Sequence, residues 1–125
     1  MNLANWLLRT AQVSGEQPAL FHGTDQVASY CELAAMVQSC AAWLRDLGVS
    51  RGDHIGIFMK NTPEYLVVFY GIWAVGAVAV PINGKLHSKE ADWILENAEA
   101  KCVLCCDGLG ALLTEIECSV PVFVP

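Results

Sequence analysis

The sequence predicts an α/β fold: a mostly parallel sheet with helices on both faces. Two observations carry this. Strand-length apolar runs at Ile55–Met59, Ala77–Val80, Cys102–Cys106 and Val120–Val124 alternate with longer segments that have helix caps and helical apolar spacing. Two of these runs, Ala77–Val80 and Cys102–Cys106, are apolar without alternation, as expected for central parallel strands buried on both sides.

Each element has a local reason. Leu3, Trp6 and Leu7 have helical spacing, and Gly15 closes that helix. Pro18–Phe21 and Gln26–Ala28 flank a Gly23-Thr24-Asp25 turn and read as a hairpin. Ser29-Tyr-Cys-Glu32 is a capping box, in which hydroxyl and carboxylate satisfy each other's backbone amides at a helix start. The helix that follows carries the stripe Leu33, Val37, Cys40, Leu44 and Leu47 and ends at Gly48. After the Ile55–Met59 strand, Thr62 caps a helix with Pro63 at its first position, where the missing amide costs nothing. Ser88 caps a helix through Trp93 and Leu95, and a last helix runs from about Leu109 to Glu117.

The run between Glu64 and Lys85 is uncharged and about as long as a bilayer-spanning helix. Gly71, Gly76 and above all Pro81 argue against one straight helix, because proline removes an amide donor and clashes with the preceding turn. The run divides into a helix, a left-handed turn at Gly76 and the Ala77–Val80 strand, stopped by Pro81, so no membrane span is expected.

A length of 125 residues fits one domain. Seven basic against 13 acidic residues give a formal charge of -6, which disfavours nucleic acid or anionic lipid as partner. The N-terminus has no basic start before its apolar residues and does not read as a secretory signal, so a cytoplasmic location is expected. The six cysteines read as small buried thiols in a chain with ample apolar material for a core. Cys102 and Cys105 have metal-site spacing, but residues three apart on a strand point to opposite faces.

Three further patterns lack the context their chemistry needs. Gly48-Val-Ser50-Arg-Gly52 matches a hydrolase nucleophile motif, yet here a helix precedes the serine and a strand follows it, the reverse of a nucleophile elbow. Gly108-Leu-Gly110 opens a helix after a strand, but Leu113 replaces the third glycine of a dinucleotide fingerprint. His22, His54 and His87 have no metal-ligand spacing and read as solvated or locally bonded.

A family resemblance adds what spacing does not. Ser29-Tyr-Cys-Glu-Leu33, the helix end Leu47-Gly48-Val49, Gly52-Asp53-His54-Ile-Gly-Ile, Asn61-Thr-Pro-Glu64, Gly76-Ala-Val-Ala-Val-Pro-Ile-Asn83 and Ile94-Leu95-Glu96 stand in family order and at family spacing. Together they resemble the N-terminal region of AMP-forming acyl-CoA synthetases, members of the adenylate-forming superfamily. The resemblance implies part of the larger N-terminal domain of such an enzyme. Its activity would be activation of a carboxylate with ATP and magnesium, giving acyl adenylate and pyrophosphate, then acyl transfer to coenzyme A. The family's phosphate loop, acyl pocket and C-terminal domain follow the region matched. Residues 1–125 are therefore expected to be a single N-terminal fragment of the adenylation domain, inactive and without bound cofactor when alone. Its partner would be the remainder of the synthetase chain. The alternative is a free-standing, non-catalytic module that forms a homo-oligomer through an exposed apolar face. The resemblance also singles out Lys85: relatives often carry Asn-Pro-Arg-Leu where this chain has Asn83-Gly84-Lys85-Leu86. A cation there would attract a phosphate of coenzyme A, on a loop that Gly84 is expected to loosen.

Overall fold

The computed structural model describes residues 2–125. Its helices are α1 (Ala4–Ser14), α2 (Tyr30–Asp46), α3 (Pro63–Ala74), α4 (Ser88–Asn97) and α5 (Asp107–Glu115). Its strands are β1 (Pro18–His22), β2 (Asp25–Ser29), β3 (His54–Met59), β4 (Val78–Asn83), β5 (Cys102–Cys105) and β6 (Val122–Phe123). β1 and β2 form a separate antiparallel hairpin, while the other four make a parallel sheet in the order β4-β3-β5-β6.

Alternation along the sheet assigns the two layers. Ile55, Ile57 and Met59 of β3 face one side, with Cys102 and Leu104 of β5, and bury there against Leu44 of α2 and Val68 and Ile72 of α3. Phe58, Val103 and Cys105 face the other side, against Ala91 and Leu95 of α4 and Leu109 and Leu113 of α5. A third cluster, Leu7, Leu20, Ala28, Leu33 and Val37, docks α1 and the hairpin on α2.

The capping box is present. The Glu32 amide donates to Ser29 Oγ at 3.2 Å, and the Ser29 amide donates to Glu32 Oε1 at 3.0 Å. That backbone donor holds the Glu32 carboxyl below its usual range. Gly48 and Gly76 adopt the left-handed conformations their helix ends require, with φ of 88° and 79°. The uncharged run divides into α3 and β4, and among the described residues no helix is long and apolar enough to cross a membrane.

The structure corrects several local expectations. Pro81 does not stop β4: the strand continues to Asn83, with Pro81 opposite Ile57. β4 is the sheet's edge, not a central strand, and an edge strand tolerates a residue without an amide donor. Its apolar run is accordingly not buried on both faces, and Val78 is 44% exposed. β5 is central and wholly buried, but it ends at Cys105, and Cys106 is the N-cap residue of α5. On α1 the core face is Ala4 and Leu7, with Trp6 more than half exposed. Gly15 is right-handed, φ -57°, and sits where an added Cβ would lie 2.6 Å from the Ala11 carbonyl oxygen. Thr62 occupies the N-cap position of α3 without a side-chain hydrogen bond. α4 is capped by His87, whose Nδ1 accepts from the Lys89 amide at 3.1 Å, and Ser88 is buried in its first turn.

Candidate functional site

In an open parallel sheet, ligands bind beyond the carboxyl ends of the strands, where loops leave a rigid scaffold. At that end of this sheet β3 and β4 finish side by side, with Met59 in register with Asn83. Lys60 and Asn61 leave β3, and Gly84 and Lys85 leave β4. These residues, with Tyr65 of α3, border a cavity of about 700 Å³.

The β4 loop is tightly built. Asn83 Oδ1 accepts from the Lys85 amide at 2.9 Å, and the Asn83 carbonyl accepts from the Leu86 amide at 3.0 Å, folding the chain back toward α4. Gly84 does not loosen this loop. A Cβ there would lie 2.9 Å from the Met59 carbonyl oxygen and 3.3 Å from Leu109 Cδ1, so glycine lets the loop press against the end of β3. Tyr65 stacks on Phe69 with ring centroids 6.1 Å apart, and burial raises its phenol above the ordinary range. Both lysines are exposed. The one ion pair among the described residues joins Lys101 to Asp53 and involves neither.

The other patterns resolve into structure. Ser50 sits at the opposite end of the sheet, where its hydroxyl donates to Asp53 Oδ2 at 3.2 Å and its amide to the same oxygen at 2.8 Å. The Ser50 amide and Lys101 hold the Asp53 carboxyl below its usual range. That is a polar turn, in which the carboxylate facing the serine is committed to the Ser50 amide and to Lys101. Gly110 lets α5 approach the sheet: its Cβ would lie 3.3 Å from both Cys105 Cβ and Val124 Cγ2. Leu113 is fully buried where the fingerprint would need a third glycine. His54 Nδ1 lies 2.6 Å from the Ala98 carbonyl oxygen, and His22 is exposed on the hairpin. Cys102 and Cys105 are buried, which pushes their thiols up to about 11 and about 12. Among the described residues no group of three His, Cys, Asp or Glu side chains is placed to hold a metal ion.

Residues 7–122 match the family described as AMP-binding enzyme. The chain belongs to that family. Among its relatives in the AMP-binding family is the long-chain-fatty-acid–CoA ligase FadD13 of Mycobacterium tuberculosis, 37% identical over 106 residues that make up 83% of this chain and 21% of the relative. Crotonobetaine/carnitine–CoA ligase of Salmonella paratyphi A is 32% identical over 93 residues, 71% of this chain and 18% of that one. The chain thus spans about a fifth of the length of these curated relatives. The fold agrees with solved members. A fatty acyl CoA synthetase of M. tuberculosis superposes with a TM-score of 0.89 at 29% identity, covering 98% of this chain and 26% of that one. O-succinylbenzoate coenzyme A synthetase of Bacillus subtilis gives 0.87 at 28% identity over 96% of this chain and 31% of that one. A structure of the N-terminal domain alone of FACL13 from M. tuberculosis matches 99% of this chain, so the likeness lies within an N-terminal domain.

Of the two lysines that border this cavity, only Lys85 was named from sequence. Lys85 was singled out by the resemblance of its loop to that of relatives, whereas Lys60 borders the same cavity through the register of β3 with β4.

Proposed function

We propose that this chain is the N-terminal part of an ATP-dependent carboxylic acid:CoA ligase acting in the cytoplasm, and that alone it supplies scaffold and one binding loop rather than catalysis. The observation that carries the reading is the agreement in fold with acyl-CoA synthetases over 98% of the chain, alongside coverage of about a quarter of the partner structure. ATP and magnesium would engage the remainder of the enzyme. The only glycine pair that opens a helix here, Gly108 and Gly110, does not fit a triphosphate cradle, because Gly110 is already filled by packing against β5 and the C-terminal segment. The test is acid-dependent pyrophosphate exchange with ATP and magnesium over a panel of carboxylic acids. The isolated chain should give none, and the protein encoded by a reading frame continuing past Pro125 should give it. Exchange by the pure 125-residue chain would overturn the fragment reading.

Lys85 is the residue of this part assigned to coenzyme A. It stands on the loop leaving a strand's carboxyl end and makes no ion pair among the described residues. In the complete ligase, Lys85→Ala should weaken coenzyme A use by about 1–2 kcal/mol, the scale of one charged hydrogen bond, with the adenylation half-reaction nearly unchanged. Equal loss in both half-reactions would assign Lys85 to folding instead. The alternative, a stand-alone module that self-associates, draws on exposed Trp6 and Val13 of α1. Stable oligomers of the 125-residue chain in sedimentation, with no continuing reading frame, would favour it.

A further inference from the structure

We propose that His87 is a proton-sensitive cap, which holds the first turn of α4 closed at neutral pH and releases it in mild acid. The inference rests on the chemistry of this turn and not on the ligase reading.

The hydrogen bond fixes the state of the ring. His87 is the N-cap residue of α4, extended at φ -64° and ψ 146°, and its Nδ1 lies 3.1 Å from the Lys89 amide. A backbone N–H only donates, so Nδ1 must offer a lone pair, and the imidazole is neutral with its proton on Nε2. Protonation fills that lone pair and breaks the bond. It also sets a positive charge against the positive end of the helix dipole, so both effects act in one direction. The usual caps, Ser, Thr, Asn and Asp, keep their acceptor between about pH 5 and about pH 8, where histidine changes charge.

His54 is the internal contrast. Its Nδ1 faces the Ala98 carbonyl at 2.6 Å, which needs a donor, and the imidazolium supplies one as well as the neutral ring does. The start of α4 has no second fastening of the kind α2 has. There the Ser29 amide also bonds the Glu32 carboxylate, whereas Glu90, in the corresponding place on α4, makes no such bond among the described residues. The charged groups around His87 are Lys85 before it and Lys89 and Glu90 after it, with Lys60 after β3 and Asp107 at the start of α5 at the same end of the sheet. None of them joins an ion pair among the described residues, and the hydrogen bond that holds the imidazole is the one from the Lys89 amide.

Packing confines the change. Ala91 and Leu95 are fully buried with Phe58, Val103 and Leu113, and hold the body of α4 at either pH. Upstream, the Asn83 carbonyl keeps its bond to the Leu86 amide. The released segment is therefore residues 87–90, where His87, Lys89 and Glu90 are already exposed.

The experiment follows the 125-residue chain by NMR between about pH 7.5 and about pH 5.5, the interval in which an imidazole ordinarily titrates. At the upper pH the His87 ring nitrogen shifts should show Nδ1 without a proton. Protection of the Lys89 amide against hydrogen exchange, corrected for the intrinsic pH dependence of exchange, should fall about tenfold on acidification, the loss of its acceptor. His87→Asn keeps an acceptor that does not titrate and should hold the protection at both pH values, while His87→Ala should lack it at both. His22→Asn, on the hairpin, should leave the parent's pH dependence in place. A proton on Nδ1 at the upper pH, a Lys89 amide equally protected across the range, or the same pH dependence in His87→Asn as in the parent would each overturn the switch.

Discussion

Replacing Gly71 with alanine tests whether α2 and α3 are packed as closely as the structure requires. The two predictions have opposite signs. From helix propensity alone, alanine for glycine inside a helix stabilises by about 1 kcal/mol. In this structure, however, a Cβ on residue 71 would lie 2.6 Å from Cys40 Sγ and 2.9 Å from Cys40 Cβ. Ordinary carbon contacts sit at about 3.5–4.0 Å, so the helices must separate by roughly 1 Å. Neither yields easily: α3 buries Val68 and Ile72 against the sheet, and α2 is held by Leu44 on one side and by the hairpin cluster on the other. Overpacking of this kind costs about 1–3 kcal/mol, so after the propensity gain of about 1 kcal/mol the net expectation is a destabilisation of up to about 2 kcal/mol. Urea unfolding of the 125-residue chain measures it as a lowered midpoint at unchanged slope. Adding Cys40→Ala should recover part of the loss, because it removes the sulfur but leaves the Cβ contact. Gly108→Ala, on an exposed turn of α5 with nothing within 4 Å of its Cβ, should be neutral or stabilising. A Gly71→Ala protein more stable than its parent by the full propensity gain of about 1 kcal/mol would refute the close approach of the two helices.

Three further outcomes follow from the geometry. Alkylation by iodoacetamide at mildly alkaline pH, followed by mass spectrometry, should label exposed Cys31 first and reach Cys102 and Cys105 only in denaturant, since burial raises those two thiols and blocks access; early labelling of Cys105 would contradict a buried β5. The Asp53 carboxyl is held below its ordinary value of 3.8, so its contribution is present above that pH and is lost as pH falls through the lower folded value; the stability advantage of the parent over Asp53→Asn should be full near neutrality and vanish in strong acid. Lys101→Ala should lower the urea midpoint slightly, by no more than about 1 kcal/mol for a half-exposed pair, whereas Lys60→Ala should leave it unchanged.

What the sequence made legible was local. The capping box could be read because its partners are three residues apart and bond each other whatever the rest of the chain does. The left-handed turns at Gly48 and Gly76 were readable for the same reason. Strand position was not. The apolar character of Ala77–Val80 suggested a central strand, but the order β4-β3-β5-β6 puts it at the edge, a fact fixed by long-range pairing that no linear pattern encodes. Helical spacing found α1 without showing which face is buried. Leu7 wins over Trp6 because it packs into the cluster with Leu20, Ala28 and Leu33. His87 displaced Ser88 as the cap of α4 because Ser88 is buried in the first turn. Lys60 escaped notice because its link to Lys85 exists only through the β3–β4 register.

The two ends of the sheet explain why one is structural and the other suited to a ligand. At the amino end the polar groups satisfy one another: Asp53 accepts from Ser50 and Lys101, Lys101 also donates to the Gly48 carbonyl at 2.5 Å, and His54 is bonded to Ala98. The backbone does the same, with the Gly52 amide donating to the Gly76 carbonyl at 3.0 Å and the Val78 amide to the Asp53 carbonyl at 2.8 Å. A group already bonded must lose that bond before it can serve a ligand, so this end offers rigidity rather than recognition. At the carboxyl end the backbone is equally fixed, by the Asn83 turn and by the close approach that only glycine allows at residue 84, yet among the described residues the lysines it carries join no ion pair. Rigid main chain with uncommitted cations binds an anion at little ordering cost, because only side-chain freedom is lost. That asymmetry leaves two lysines of an acidic chain without ion-pair partners, among the described residues, where β3 and β4 end together.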